Sequence, residues 1–499
     1  MKVVFIHQGR ENLGIEYLSS ILKKAGHQTR LLLEPGLFSK EDNVFHLPFL
    51  EKIFCRKQQI LKEVQRSKPD LVAFSVYTST YLWACETAKA IKQNRDIKIA
   101  FGGIHPTLVP EKVIENDCVD FVVVGEGEFA LLELVEALST GKLNYQIDNV
   151  WFKRKGQTIA NKIRPPIENL DSLPHPDKEL FEDEVRYKDD YVILTSRGCA
   201  FSCTFCCESF LNKLYNNKYF RRRSIDSVMQ ELNFMKEKYN FKEVMFFDSI
   251  LFTDKKWLRE LMNRFRKEIN VPFRCTGHVN FFDWEIGKMM KESGCYCIDF
   301  GVESMSEFTR KNVLKRFSSD EQLKKASDTC DKLKLRYDAD LMFGLPGEGE
   351  KEYLSTIDFF SHLKYLNRLK CYNLAYYPRT EIVKIAKEKK MLDDIDIENI
   401  AEGRIGDWFH RDSIKDKKLK RIKDNFQAFY KILPVLPQSW TKYIITHKLY
   451  RKFYLLPSAI VIFIQLIIAL RHRDYRFIIY PLNYLHHFRR KYFYGKSNN

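Results

Sequence analysis

The sequence lacks an apolar leader ending in a small-residue cleavage site. Its first ten residues, MKVVFIHQGR, read instead as a β-strand running into a turn. Cysteine is scarce, at twelve in 499 residues. That excludes a disulfide-built scaffold and makes reduced thiols in the cytoplasm the expectation. No internal repeat and no low-complexity segment occurs. Basic charge is not spread along the chain as in a nucleic-acid binder. The net charge is +17, but from Trp440 onward eleven lysines and arginines face the single acid Asp474, so +10 of it lies in the last sixty residues.

A chain of this length, 45% hydrophobic, is expected to divide into two or three domains. Over residues 1–140, apolar runs (KVVFIH, TRLLLE, LVAFSVY, IKIAFGG, FVVVGE) alternate with amphipathic stretches. Continuous Val/Ile/Leu/Phe strands between helices predict a doubly wound, Rossmann-like α/β domain with a ligand at the carboxyl ends of its strands. Residues 141–190 predict a linker, containing a hairpin that turns at Lys155-Gly156 and the proline-rich stretch RPPIENLDSLPHPD. From 191 to 380, strands near 191–196, 243–248, 272–276, 297–303, 336–343 and 369–376 alternate with helices. Six such units predict a partial TIM barrel whose chemistry sits at the strand ends. Residues 381–436 read as a helical extension and 437–499 as a basic, aromatic, apolar tail.

A third of the cysteines stand in RGCAFSCTFCC, residues 197–207, directly beyond the first barrel strand. Cys199, Cys203 and Cys206 have the spacing C-x3-C-x2-C, and Gly198 lets the loop turn tightly. A closed zinc site wants four ligands, usually in two pairs. No second pair exists, and Cys295 and Cys297 are separated by only one residue of a strand-like segment. Three thiolates on a 4Fe–4S cluster leave one iron open for a substrate or cofactor. Cys207, adjacent to Cys206, reads as packing.

This motif after the first strand of a six-unit barrel resembles the radical S-adenosylmethionine (SAM) enzymes. Phe205 supplies the aromatic residue that the family prefers before the third cysteine. The resemblance implies that SAM chelates the open iron and is cleaved to a 5′-deoxyadenosyl radical, which takes hydrogen from unactivated carbon. It also implies that Asp248, in MFFDS, contacts the amino group of the cofactor. Glu303, in IDFGVES, would contact its ribose or methionine part, and Gly344 and Gly347, in LMFGLPGE, would let the backbone approach the adenine.

The first domain, in ENLGIEYLSSILKKAGH, PDLVAFSVYTST, FGGIHPT and VVVGEGE, resembles the cobalamin-binding domain that precedes the barrel in one large subgroup of that family. The subgroup includes methyltransferases and an anaerobic ring cyclase. Ser75, Gly102 and Gly103 fit the small residues that admit the corrinoid and its nucleotide tail. The D-x-H-x-x-G pattern of many corrinoid domains is missing, with Gly9 and Glu11 in the Asp and His places and His7 too early. Either cobalt has no protein ligand on its lower face or the domain has ceased to bind cobalamin.

The resemblance implies a methyl transfer to a small molecule, lipidic or natural-product-like, with flavodoxin or ferredoxin as electron donor. A radical cyclisation or other oxidoreduction is the alternative. Transfer-RNA methylthiotransferases share the barrel and carry a second cluster on three cysteines. Cys55, Cys85 and Cys118 stand at suggestive intervals, but the first two fall in helical patterns.

In the tail, residues 453–470 hold eighteen positions without a charge. Pro457 confines a helix to 457–470, roughly 21 Å at 1.5 Å per residue, short of the roughly 30 Å hydrocarbon core. Both flanks are basic, and Trp440, Tyr450, Tyr454, Tyr475, Tyr480 and Tyr484 supply rings suited to a lipid interface. The expectation is a cytoplasmic enzyme with its tail on the inner face of the membrane, and a buried C-terminal helix is the alternative.

Overall fold

The computed structural model describes residues 1–40, 42, 46–94, 96–404, 412–472, 474 and 476–492. Five parallel strands form the first sheet: β1 (Lys2–Gln8), β2 (Gln28–Glu34), β3 (Leu71–Ser75), β4 (Lys98–Gly102) and β5 (Phe121–Val123), in the order β2-β1-β3-β4-β5. The inner strands β1, β3 and β4 are apolar on both faces because each face is covered. Val3, Phe5, Leu71 and Ala73 pack on the helices Leu13–Lys24 and Glu128–Ser139 through Ile15, Leu22, Leu131 and Leu134. Val4, Ile6, Val72 and Phe74 pack on Lys57–Ser67 and Tyr81–Asn94 through Ile60, Val64, Ala84 and Ala88. The strand order reverses between β1 and β3, which opens a crevice at their carboxyl ends.

The hairpin turns where expected, between β6 (Val150–Arg154) and β7 (Gln157–Ala160). It is not a linker, however. β6 pairs antiparallel with β5 and extends the first sheet to seven strands, so the first domain runs to Ala160. The proline-rich connector follows, and its Lys178 is buried, donating to Glu11 at 2.6 Å.

The second domain has β8 (Tyr191–Ile193), a short antiparallel ribbon of β9 (Ser196–Arg197) and β10 (Arg221–Arg222), then β11 (Val244–Phe246), β12 (Phe273–Gly277), β13 (Cys295–Glu303), β14 (Arg336–Phe343) and β15 (Leu366–Asn373). Six of these pair in parallel and in sequence, β8-β11-β12-β13-β14-β15, the partial barrel expected. Its crossover helices start on side-chain caps: Ser224, Asp254, Asp283 and Ser319 each accept from backbone N–H groups of the first turn.

After the barrel come the helices Glu381–Glu388, Asp394–Ala401 and Lys417–Ile432. The first meets the cysteine loop, where the Ile382 N–H donates to Thr204 O, and the second reaches the first domain through Lys112–Glu398. The tail continues as Gln438–Thr446, Leu449–Leu455, Ser458–His472 and Arg476–Tyr492, the third of these starting just after Pro457. Among the described residues no single helix is long and apolar enough to cross a membrane. The end of the tail is built into the protein. Arg476 enters the amino-terminal end of the barrel and donates to Asp338 at 2.9 Å and to Asp474 at 2.7 Å. Beyond it, Arg490 meets Glu184, and Arg56, also paired with Glu184, donates to the carbonyl of His487.

This packing removes several rings from the interfacial set. Tyr450 is buried and donates to Glu350, and Tyr484 donates to Asp42. Trp440 and Tyr454 remain exposed. Tyr475 and the side chain of Tyr480 lie outside the described residues.

Candidate active site

The cysteine loop leaves β9 at Gly198, whose φ is +83°. A Cβ there would sit 2.5 Å from the carbonyl oxygen of Tyr219, so only glycine makes this turn. Asn212 Nδ2 donates to the carbonyls of Cys199 (3.1 Å) and Phe201 (3.3 Å). Thr204 ties the loop to the segment after β13, its N–H donating to Leu314 O and its hydroxyl to Val313 O. Phe205 packs into the apolar cluster containing Leu314 and Leu345. The aromatic residue therefore anchors the loop to the barrel.

Cys203 is buried and Cys199 and Cys206 are half-buried. Burial pushes the Cys199 thiol up to about 11 and that of Cys206 well above its ordinary value. Burial also raises Cys203, against which Arg316 works, donating from Nη1 to the Cys203 sulfur at 3.6 Å.

Asp248 lies just past the end of β11, beside the strand that leads into the cysteine loop. It is buried and accepts from the Thr195 N–H (3.0 Å), the Thr195 hydroxyl (2.9 Å) and the Ser196 hydroxyl. Its Oδ1 carries most of these bonds, and Oδ2 accepts only from the Thr195 N–H at 3.3 Å. Phe247 and Ser249, its neighbours, face the cavity described below. The carboxylate therefore braces the strand exit at the head of the cysteine loop, chiefly through Oδ1.

Glu303 lies at a bulge between β13 and β14 with φ of +69°. A non-glycine residue held there stores roughly 1–3 kcal/mol of strain, the kind retained at functional positions. Burial raises its carboxyl, and Arg316 opposes that shift. Arg316 thus stands between the Cys203 thiol and Glu303. Gly344 and Gly347 turn the chain out of β14 ahead of the helix Glu350–Phe360.

A cavity of about 440 Å³ lies where the carboxyl ends of the two sheets meet. From the first domain it is lined by Gly14, Ser75, Gly102, Gly103 and Glu126, and from the second by Arg197, Gly198, Glu208 and Phe247. The expected corrinoid residues and the start of the cysteine loop thus share one space. Gly103 has φ of +98°, and a Cβ there would come 2.9 Å from Val76 N.

His7 is buried beside Tyr77, with Nδ1 3.2 Å from Ser75 O, and burial lowers its pKa to about 4. Glu11 is bound to Lys178. Neither residue lines the cavity.

Buried ion pairs fix the two halves of this space. Arg197 pairs with Glu126 (3.1 Å) and Glu128 (2.5 Å), and Arg221 pairs with Glu126 (2.8 Å). Burial alone would raise Glu126, but Arg221 and Arg197 hold it below the ordinary range. Sequence reasoning missed Arg197, Glu126 and Arg316, because such partners carry no local spacing. It also missed Glu208, which follows the cysteines, lines the cavity and has a buried Oε2 without a hydrogen-bond partner among the described residues.

Comparison with known proteins agrees with this geometry. A B12 binding domain model matches residues 8–135 and a Radical SAM superfamily model matches residues 193–360. An uncharacterized methyltransferase of Pyrococcus horikoshii is 32% identical over 362 residues, 70% of this chain and 73% of that protein. The chain belongs to the cobalamin-binding radical SAM enzymes.

This radical SAM enzyme is also 23% identical to an anaerobic magnesium-protoporphyrin IX monomethyl ester cyclase of Rubrivivax gelatinosus, over 70% of the chain and 63% of the relative. Its fold is that of the cobalamin-dependent radical enzyme OxsB, solved with aqua-cobalamin and SAM. The match has a TM-score of 0.66 at 15% identity and covers 91% of this chain and 72% of that one. The radical SAM enzyme takes a 4Fe–4S cluster, SAM and cobalamin. The donor set fits them: three thiols on one pinned loop, and a glycine-lined crevice that a Cβ at Gly103 would disturb. The methylthiotransferase pattern is not assembled. Cys85 and Cys118 meet around Asn116, each 3.3 Å from it, while Cys55 is exposed at the end of the helix Pro48–Phe54.

Proposed function

We propose that the enzyme methylates an unactivated carbon of a small molecule, with the cluster on Cys199, Cys203 and Cys206 and cobalamin in the crevice of Ser75, Gly102 and Gly103. The observation that carries this is the single cavity joining that crevice to Gly198, the first residue of the cysteine loop. Bound SAM and cobalamin would supply, respectively, the hydrogen-abstracting radical and the methyl group.

The chain orients and shields them. Asp248 fixes the strand exit through Thr195 and Ser196, and Thr204 and Asn212 hold the loop. Arg316 places a positive charge at Cys203 and favours its thiolate, which is the form that ligates metal. Glu303, with its carboxyl facing Arg316, is the proposed contact for the ribose or methionine part of SAM. The turn at Gly344 and Gly347 is proposed to lie against the adenine. Arg197 and Arg221 keep the two domains closed on the shared cavity. Neither His7, hydrogen-bonded near Ser75, nor Glu11, paired with Lys178, lines the crevice that would hold cobalamin.

A cyclisation is the second reading, favoured by the likeness to the Rubrivivax gelatinosus protein. Flavodoxin or ferredoxin is the proposed electron donor. Anaerobic protein, reconstituted with iron, sulfide and hydroxocobalamin, desalted and reduced, tests the proposal. Methyl transfer predicts retained corrinoid and the formation of both 5′-deoxyadenosine and S-adenosylhomocysteine from SAM. Cyclisation predicts 5′-deoxyadenosine without S-adenosylhomocysteine, and loss of all corrinoid on desalting would overturn both.

A further inference from the structure

The tail helix Ser458–His472 is apolar on two sides, and only one of them is covered. Val461, Ile468 and Ala469 are buried, and Ile464 packs on the main core. Ile460, Phe463, Leu466, Ile467 and Leu470 project outward, Phe463 61% and Leu470 67% exposed. Their spacing of three and four residues places them on one helical face. Leu455, in the turn just before, is 64% exposed. A continuous apolar face of this kind marks an interaction surface in a soluble protein.

Basic side chains frame the face. Lys448 and Lys452 precede it, Arg471 follows it, and all three are exposed. The segment beyond Trp440 carries +10, although Arg451, Arg476 and Arg490 are paired with acids of the protein. Position is fixed at both ends. Before the helix, Arg451 and Tyr450 bind Glu350. After it, Asp474 and Arg476 enter the barrel. A helix held flat along the body, with apolar residues outward and cations beside it, has the form of an in-plane membrane helix.

We infer that this face docks the enzyme on the surface of an anionic bilayer, with Phe463, Ile467 and Leu470 entering the headgroup–acyl boundary. A spanning arrangement is disfavoured. The helix has 15 residues, about 22 Å at 1.5 Å per residue, and it meets the preceding segment at 106°. The inference is independent of the reaction.

The test is flotation of the full-length protein with vesicles of phosphatidylglycerol and phosphatidylcholine in equal parts, and with pure phosphatidylcholine, beside Phe463→Glu/Leu470→Glu. Both residues are exposed, so the variant keeps the fold, which equal melting temperatures check. A Phe463→Ser/Leu470→Ser variant serves if they differ. The wild type is expected to float with the anionic vesicles and the variant to partition at least tenfold less. High salt is expected to weaken binding. A wild type that stays at the bottom, or a variant that floats equally, overturns the inference. So does a wild type that is dimeric by light scattering, with a monomeric variant and no flotation, since a second copy would then cover the face.

Discussion

Replacing Arg476 by methionine should unfasten the tail from the barrel. Arg476 is 7% exposed at its side chain and Asp338 is wholly buried. The guanidinium reaches Asp338 at 2.9 Å and Asp474 at 2.7 Å. Removing one member of a buried ion pair costs about 3–5 kcal/mol, because its partner is left charged and unsolvated. Lys370 stays 3.2 Å from Asp338 and Arg368 still meets Asp474, so the lower end, about 3 kcal/mol, applies. For a domain of this size that is a fall of roughly 6–12 °C in melting temperature.

Anaerobic thermal melts followed by circular dichroism measure it. Adding Asp338→Asn to Arg476→Met should recover part of the loss, because the stranded charge goes as well. The pH dependence has a definite sign. Burial alone would raise Asp474, but Arg476 and Arg368 hold it at about 2. Its contribution is therefore complete above the ordinary aspartate range near pH 4 and is lost as pH falls toward 2. The gap between wild type and Arg476→Met should be flat from pH 5 to 8 and shrink on acidification. A variant that melts within a degree or two of wild type would refute the clamp.

Other substitutions probe the site. Gly103→Val should abolish corrinoid retention after desalting while the cluster absorbance stays, since the side chain would meet Val76 and the backbone has φ of +98°. Glu126→Ala strands the buried Arg221, leaves Arg197 with Glu128 alone and should cost about 3 kcal/mol, read as a lower melting temperature and faster proteolysis between the domains. Asp248→Ala removes the acceptor for Thr195 and Ser196 and should lower cluster occupancy, read as iron and sulfide per chain, more than Asp248→Asn does.

Much of this was legible in local pattern. The parallel strands are near-continuous apolar runs because both faces are covered, and a loop after a strand with three closely spaced cysteines has few structural explanations. What was not legible depended on orientation or distance. Asp248 faces back toward Thr195 while Phe247 and Ser249 face the cavity, a difference of one residue at a strand end. Arg316 lies 113 residues from Cys203. The hairpin was legible as a hairpin, but its pairing with β5 was not. In the tail, the lone acid Asp474 among eleven cations was the available signal that the segment is fastened into the protein.

The most direct test of the central claim compares wild type with Cys203→Ala after anaerobic reconstitution and reduction in the presence of SAM. The wild type should show the visible absorbance of a 4Fe–4S cluster and form 5′-deoxyadenosine. Cys203→Ala should lose both while retaining cobalamin in the first domain. A Cys203→Ala protein that keeps the cluster and still forms 5′-deoxyadenosine would contradict the account.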